Sequence, residues 1–142
     1  MRVSRLTIDD YDKATSFWKE TVGIGIACVE SRERMTSFLK RNPNLSFKLS
    51  DSDAIVGTVL CGHDGTRGYL HHLALAASYR GQGMGQRMVD KSLGELRRLG
   101  ISKCHFFIDS HNGEGDELWK TLNWSEQREV KVYSHDIELP AE

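Results

Sequence analysis

Three glycines at alternate positions constrain this chain more than any other feature, in the segment Arg80-Gly81-Gln82-Gly83-Met84-Gly85. The segment separates a predicted strand, residues 69–76, from a predicted helix, residues 84–99. Because glycine has no Cβ, such a turn can adopt unusual φ and ψ angles and direct successive N–H groups to one point. The N-terminus of the following helix adds partial positive charge there. The sequence therefore predicts a binding site for a phosphate group.

Composition and charge are typical of one globular domain, which we expect to occupy residues 1–142. The chain has 19 Lys and Arg residues against 20 Asp and Glu residues, and its formal net charge of -1 disfavours nucleic acid and anionic membranes as partners. The cysteines, Cys28, Cys61 and Cys104, are far apart, which favours buried thiols over a disulfide framework or a zinc site. No stretch has the length of a signal peptide or a membrane span, so we expect a cytoplasmic protein.

Apolar patterning predicts alternating strands and helices along the chain. The first predicted helix opens with a capping box of Thr7 and Asp10, and the second begins at Ser31 and ends at Asn42, before Pro43. The third is the helix after the glycines, and a short fourth covers residues 116–122. The predicted strands are residues 3–6, 45–49, 54–61, 69–76, 103–108 and 130–139. The strands on either side of the third helix should be parallel neighbours.

The glycine segment has the spacing of one phosphate loop among three that we compared. A dinucleotide fingerprint fails because Gln86 occupies the place of its third glycine, and a P-loop fails because no Lys with Ser or Thr follows Gly85. The pattern R-x-x-G-x-G is met by Arg80, Gly83 and Gly85. With this motif between a strand and a helix, the chain resembles the GNAT acyltransferase superfamily, in which the loop holds the pyrophosphate of acetyl-CoA. The resemblance implies cofactor binding by the whole loop, namely Arg80, Gly81, Gln82, Gly83, Met84, Gly85 and Gln86, although Arg80 fits a surface ion pair equally well.

The resemblance continues on both sides of the loop. Leu73, Ala74 and Leu75 match the strand segment whose backbone pairs with the pantetheine arm in that family. Downstream, residues 112–124 follow the spacing N-x-x-A-x-x-L-Y-x-x-L-G-F, which implies that Asn112 and Trp119 contact the cofactor. The implied fold is α/β (α+β): a mixed central sheet of about six to seven strands flanked by about four helices. The chain is most similar to a branch of small bacterial acetyltransferases.

Acetyl transfer to an amine requires a base, because an ammonium group with a pKa of about 10.4 is almost fully protonated at pH 7. Some relatives use a glutamate at the position that Tyr69 occupies here. His71 and His72 are the candidates in this chain, and the resemblance favours His72. Strand alternation places their side chains on opposite faces, unless a bulge changes that arrangement. A backbone N–H near Leu73 is the candidate for stabilising the oxyanion.

The group that protonates the leaving thiolate is unusual in this chain. Many relatives use a tyrosine at the position of Trp119, whose indole N–H cannot act as an acid. We expect Trp119 to pack over the thioester and pantetheine. Tyr133, on the predicted last strand, is a candidate replacement, though it fits a core or surface position as well. Because a thiol with a pKa of about 8.5 leaves readily near neutral pH, loss of the acid should slow transfer without abolishing it.

The resemblance implies an N-acetyltransferase that uses acetyl-CoA and works by direct attack in a ternary complex. The acceptor would be an amine on a small molecule or a protein, no motif calls for a metal, and a homodimer is left open. Trp119 and the absent glutamate motivate an alternative, an acyl-CoA-binding regulatory or interaction module with impaired catalysis. A third hypothesis, a plain interaction domain, predicts no binding of CoA.

Overall fold

The computed structural model describes residues 1–21, 31–107 and 123–140. The strands of this part of the chain are β1 (Arg2–Arg5), β2 (Phe47–Asp51), β3 (Ala54–His63), β4 (Gly68–Leu75) and β5 (Cys104–Phe106). Its α-helices are α1 (Tyr11–Glu20), α2 (Arg32–Arg41) and α3 (Met84–Arg98). The predicted fourth helix, at residues 116–122, lies outside the described residues.

The helix boundaries follow local capping chemistry. Before α1, the carboxylate of Asp10 accepts a hydrogen bond from the backbone N–H of Thr7 at 2.9 Å, as the capping box predicts. Ser31 caps α2, since its hydroxyl accepts from the N–H of Arg34 at 3.2 Å. That helix ends at Asn42, directly before Pro43. The predicted start of α2 is confirmed, whereas the capping box of Thr7 opens a 3-10 turn, Ile8–Asp10, and α1 follows that turn at Tyr11.

The strands form one mixed sheet in the order β1-β2-β3-β4-β5. Neighbours from β1 to β4 are antiparallel, and β4 and β5 are parallel. The chain passes from β4 to β5 through α3, as a crossover between parallel strands requires. The predicted α/β class and the predicted hairpin of β2 and β3 are thus confirmed, with five strands in the described part of the chain.

Apolar side chains bury both faces of the sheet. On one face, α1 and α2 pack over Leu60 of β3 and Ala74 of β4. On the other, α3 packs against residues that alternate with these, including Val59 and Leu70. Among the described residues, no helix combines the length and apolar character needed to cross a bilayer.

The predicted last strand, residues 130–139, is wrong. Residues 123–140 contain no helix or strand, and no described strand pairs with them. Their large apolar side chains are 65% to 88% exposed: Val130, Val132, Tyr133, Ile137 and Leu139. Alternation of apolar residues gives a strand only where a neighbouring strand pairs with the segment and a core accepts its apolar face, and no described strand pairs with this one.

Candidate active site

A bulge interrupts β4 at the centre of the candidate site. His72 and Leu73 together lie opposite the single residue Val59, because the β3–β4 register shifts there. His72 has a φ of 49°, in the left-handed region that few residues other than glycine adopt. The bulge changes the alternation of side chains along the strand.

Both histidines consequently face α1 and α2. The ring of His71 meets Phe38 of α2 edge to face, with centroids 6.3 Å apart. The ring of His72 lies against Trp18 of α1, with centroids 4.7 Å apart. Simple alternation therefore does not hold at this point of β4, and the bulge that the sequence analysis allowed for is the physical reason.

The two imidazoles line a cleft of about 860 Å³ between α2 and the sheet. Its other lining residues come from α2 and from Leu60 of β3. Burial lowers the pKa of His71 below its ordinary value, with a smaller contribution from the nearby His72. At neutral pH the His71 side chain is therefore a neutral imidazole, which can accept a proton.

Buried hydrogen bonds hold the bulge in place. The indole N–H of Trp18 donates to the hydroxyl oxygen of Thr58 at 2.8 Å, and the Thr58 hydroxyl donates to the carbonyl of His72 at 2.8 Å. Trp18 is 1% exposed and Thr58 is 0% exposed. A left-handed residue of this kind costs about 1–3 kcal/mol, so it persists only where its surroundings fix it. Thr58 and Trp18 supply that restraint.

Beyond the bulge, β4 has an edge that β5 does not cover. The parallel ladder with β5 includes only residues 68–70 of β4. On the opposite side, the N–H of Ala76 donates to the carbonyl of Val56 in β3 at 2.8 Å. By alternation, the backbone groups of Ala74 also face β3, while those of Leu73 and Leu75 point away from it. Leu73 and Leu75 thus present backbone donors and acceptors along an edge that no described strand pairs.

The glycine loop, residues 80–86, follows this edge and enters α3. Gly81 and Gly83 have φ angles of 77° and 76°, conformations that glycine adopts without strain. A Cβ added at Gly81, Gly83 or Gly85 would meet no atom of the described structure within 4 Å. The side chain of Met84 is buried with α3 in the core, so this residue offers only its backbone to a ligand. The N–H groups of the first helical turn, including those of Gly85 and Gln86, follow this open loop, and unpaired N–H groups at the start of a helix suit an anion.

Side chains at the start of the loop attach it to the sheet. The guanidinium of Arg80 donates from Nε to the carbonyl of Leu75 at 3.0 Å. The hydroxyl of Tyr79 donates to the carboxylate of Asp51, and this hydrogen bond raises the pKa of Tyr79. Gln82 donates to the carbonyl of Ser78 at 3.4 Å. These contacts place the loop at the carboxyl end of β4, where ligands bind in α/β sheets.

Comparison with known proteins identifies the family. Residues 10–124 match the model of the Acetyltransferase (GNAT) family. The chain belongs to the GNAT acetyltransferase family. It is 28% identical over 101 residues to N-alpha-acetyltransferase 30 of Schizosaccharomyces pombe, a match that covers 68% of this chain and 67% of the relative. The resemblance drawn from the glycine motif is confirmed.

Solved structures share the fold of this GNAT acetyltransferase. The aminoglycoside antibiotic 6'-N-acetyltransferase of Acinetobacter haemolyticus has a TM-score of 0.76, with 12% identity, and the match covers 97% of this chain and 100% of that chain. The PaiA N-acetyltransferase of Thermoplasma acidophilum, in complex with coenzyme A, has a TM-score of 0.72 with 14% identity over 85% of this chain and 87% of that chain. GNAT acetyltransferases use acetyl-CoA, so the cofactor class predicted from the glycine loop is that of the family.

Three further site residues were predicted for this GNAT acetyltransferase, and the structure describes one of them, Tyr133. Asn112 and Trp119 lie outside the described residues. Tyr133 is 88% exposed on a segment that forms no strand, and no described hydrogen bond or ring contact joins it to the histidines. Sequence reasoning also missed Thr58, although a threonine inside a strongly apolar strand is a signal for a buried hydroxyl that must find partners.

Proposed function

We propose that this acetyltransferase moves the acetyl group of acetyl-CoA to a primary amine by direct attack in a ternary complex. The observation that carries the proposal is the bare glycine loop at the N-terminus of α3, adjoining the uncovered edge of β4. The glycine loop offers N–H groups to the pyrophosphate of an acyl-CoA. The edge of β4 offers backbone groups to its extended, amide-bearing arm.

Each half of the cofactor has its own set of backbone groups in this proposal. The pyrophosphate would accept hydrogen bonds from N–H groups of the glycine loop, since a Cβ at Gly83 or Gly85 would occupy the space it needs. The pantetheine amides would pair with the backbone groups of Leu73 and with the N–H of Leu75, which point away from β3, while the carbonyl of Leu75 accepts from Arg80. Arg80 adds positive charge at the loop entrance.

The bulge would place the reacting groups. The thioester carbonyl would accept from the N–H of Leu73, where negative charge develops in the tetrahedral intermediate. His72, or His71 through a water molecule, would accept a proton from the ammonium group, and the neutral amine would then attack the thioester carbon. The thiolate of CoA would leave with its electron pair, and solvent could protonate it because its pKa is near 8.5.

Two measurements test the proposal in sequence. Isothermal titration should give saturable binding of acetyl-CoA, and binding that stays undetectable at high micromolar cofactor would contradict it. Release of free CoA thiol with a broad panel of primary amines tests transfer. Cofactor binding with thiol release at background for every amine would instead support the alternative of a binding module without catalysis.

The roles of the two histidines need a separate comparison. His72→Gln should lower kcat by about 10²- to 10⁴-fold if its imidazole is the base, with little change in acetyl-CoA affinity. His71→Gln is the matched variant, because both side chains line the same cleft. If both variants retain full kcat, neither imidazole carries the proton.

A further inference from the structure

Aromatic side chains extend the floor of the cleft away from the two candidate bases. Tyr69 of β4 pairs with His105 of β5, and their ring centroids are 5.8 Å apart. The ring of Phe107 follows, with its plane 17° from that of Tyr69 and the centroids 6.1 Å apart. We call Tyr69, His105 and Phe107 the aromatic shelf.

The shelf lies on the face that carries the histidines. Tyr69 and His71 are two residues apart on β4, before the bulge, so their side chains point to the same side. Gly62 pairs with Tyr69, and a Cβ at Gly62 would lie 3.0 Å from the ring of Phe38 in α2. The same ring touches His71. The shelf and the cleft therefore share one continuous surface.

This surface offers apolar area to a ligand. Phe107 is 56% exposed, an unusual fraction for a phenylalanine beside other aromatic rings. The hydroxyl of Tyr69 donates to Asp64 at 3.2 Å, which leaves the ring as the available part of this residue. Aromatic rings that pack on such a surface gain affinity from area burial and from ring–ring geometry.

Charge on the same surface does not suit an acceptor with several positive charges. The charged side chains that line the cleft are Arg32, Glu33 and Arg34, two cations and a single anion. Asp64, near the shelf, already accepts hydrogen bonds from the backbone of Thr66 and Arg67 at 2.9 and 2.8 Å. The described lining of the cleft therefore offers a polyamine or an aminoglycoside no group of carboxylates; Asp12, Glu20 and Asp53 line a separate pocket beside α1.

We propose that the acceptor is a primary amine joined by a short chain to an aromatic ring, with the ring on the aromatic shelf and the amine at the histidines. The inference deepens the proposed function and rests on it. It selects arylalkylamines over polyamines and aminoglycosides within the class of primary amines.

The test compares kcat/KM for 2-phenylethylamine, ethylamine, spermidine and kanamycin at saturating acetyl-CoA. We expect kcat/KM for 2-phenylethylamine to exceed that for each of the others by at least about tenfold, because ring–ring contact adds to the affinity gained from area burial. Phe107→Ala should raise KM for 2-phenylethylamine by about three- to tenfold, and by more than it raises KM for ethylamine, which has no ring to place on the shelf. Leu99→Ala is the matched control, since Leu99 is also 56% exposed but lies after α3.

Several outcomes would overturn the inference. They are a preference for spermidine or kanamycin, equal rates for phenylethylamine and ethylamine, and a Phe107→Ala effect no larger than that of Leu99→Ala. If no amine is acetylated, titration of 2-phenylethylamine into the protein with acetyl-CoA tests the shelf directly, and absence of binding also overturns it. Failure of the proposed function is recognised separately, because acetyl-CoA itself would then not bind or would not be consumed.

Discussion

His72 holds a backbone conformation that costs free energy, and buried neighbours keep it there. Its φ of 49° makes the bulge, and the bulge turns a second imidazole into the cleft while it frees the N–H of Leu73 from the β3 ladder. The hydroxyl of Thr58 joins the buried neighbours to the bulge, because its oxygen accepts from the indole of Trp18 and its O–H donates to the carbonyl of His72. The geometry of the candidate site thus depends on a residue that touches neither proposed substrate.

Thr58→Val should show this dependence, because valine keeps the shape of threonine and removes the hydroxyl. The buried indole N–H of Trp18 would lose its acceptor, so we expect a loss of about 1–3 kcal/mol in the free energy of unfolding, measured with urea. Affinity for acetyl-CoA should fall as well, measured by titration calorimetry. Thr58→Ser keeps the hydroxyl and is the control. Unchanged cofactor affinity in a folded Thr58→Val protein would show that the bulge does not need this hydroxyl.

His71 predicts a specific dependence of stability on pH. Burial lowers the pKa of His71 in the folded state below the ordinary 6.5. As the pH falls from about 6.5, the unfolded chain therefore binds a proton before the folded protein does, and the free energy of unfolding decreases until the folded-state pKa is passed. His71→Phe removes this contribution and keeps a ring against Phe38.

Urea denaturation at pH 7.5, 6.5 and 5.5 measures the effect. We expect the wild type to lose more stability than His71→Phe between the first and last of these values. His135→Gln, at an exposed histidine, should keep the wild-type slope. Parallel slopes for the wild type and His71→Phe would contradict the pKa direction.

At the scale of elements, features set by neighbouring residues were predictable and features set by distant partners were not. The boundaries of α3 follow from the glycines before it and its apolar period, and Ser31 and Asn42 mark the ends of α2 through caps and a following proline. The bulge at His72 needs Thr58 and Trp18, which approach it only in the folded sheet. Residues 130–139 have the alternation of a strand, yet no described strand pairs with them. The glycine motif was predicted well because its chemistry is contained in one short segment.

The glycine loop gives an element-scale prediction with a matched control. Gly83 and Gly65 have φ angles of 76° and 99°, and a Cβ at either would meet no described atom within 4 Å. Valine at each position should therefore cost a similar amount of stability, about 1–2 kcal/mol, from the left-handed conformation alone. Gly83→Val should also lower acetyl-CoA affinity at least about tenfold by occupying the pyrophosphate space. Gly65→Val, in the turn between β3 and β4, should bind the cofactor as the wild type does.

Wild-type affinity in both valine variants would contradict the placement of the pyrophosphate at the glycine loop. Equal losses of affinity would point instead to a general effect of destabilisation. Only the difference between the variants supports the proposed cofactor site, because both carry the same backbone strain.

At the scale of the whole molecule, β4 serves both proposed substrates. The side chains of His71 and His72 face α1 and α2, where the acceptor would enter, while the backbone edge at Leu73 and Leu75 faces the cofactor. A single strand therefore fixes the distance between donor and acceptor. Apolar layers on both faces of the sheet keep this strand rigid, since Val59 and Leu70 are fully buried beneath α3.

Hydrogen exchange should reveal the contrast between this sheet and the C-terminal segment. Amides of β3 around Val59 and Cys61, both 0% exposed, should exchange only through global unfolding. Amides of residues 130–139, which join no described ladder, should exchange within seconds. Exchange read by mass spectrometry at two protein concentrations tests this expectation. Slow exchange of residues 130–139 at both concentrations would contradict it, whereas protection that appears only at the higher concentration would show that the segment pairs with a second copy of the chain.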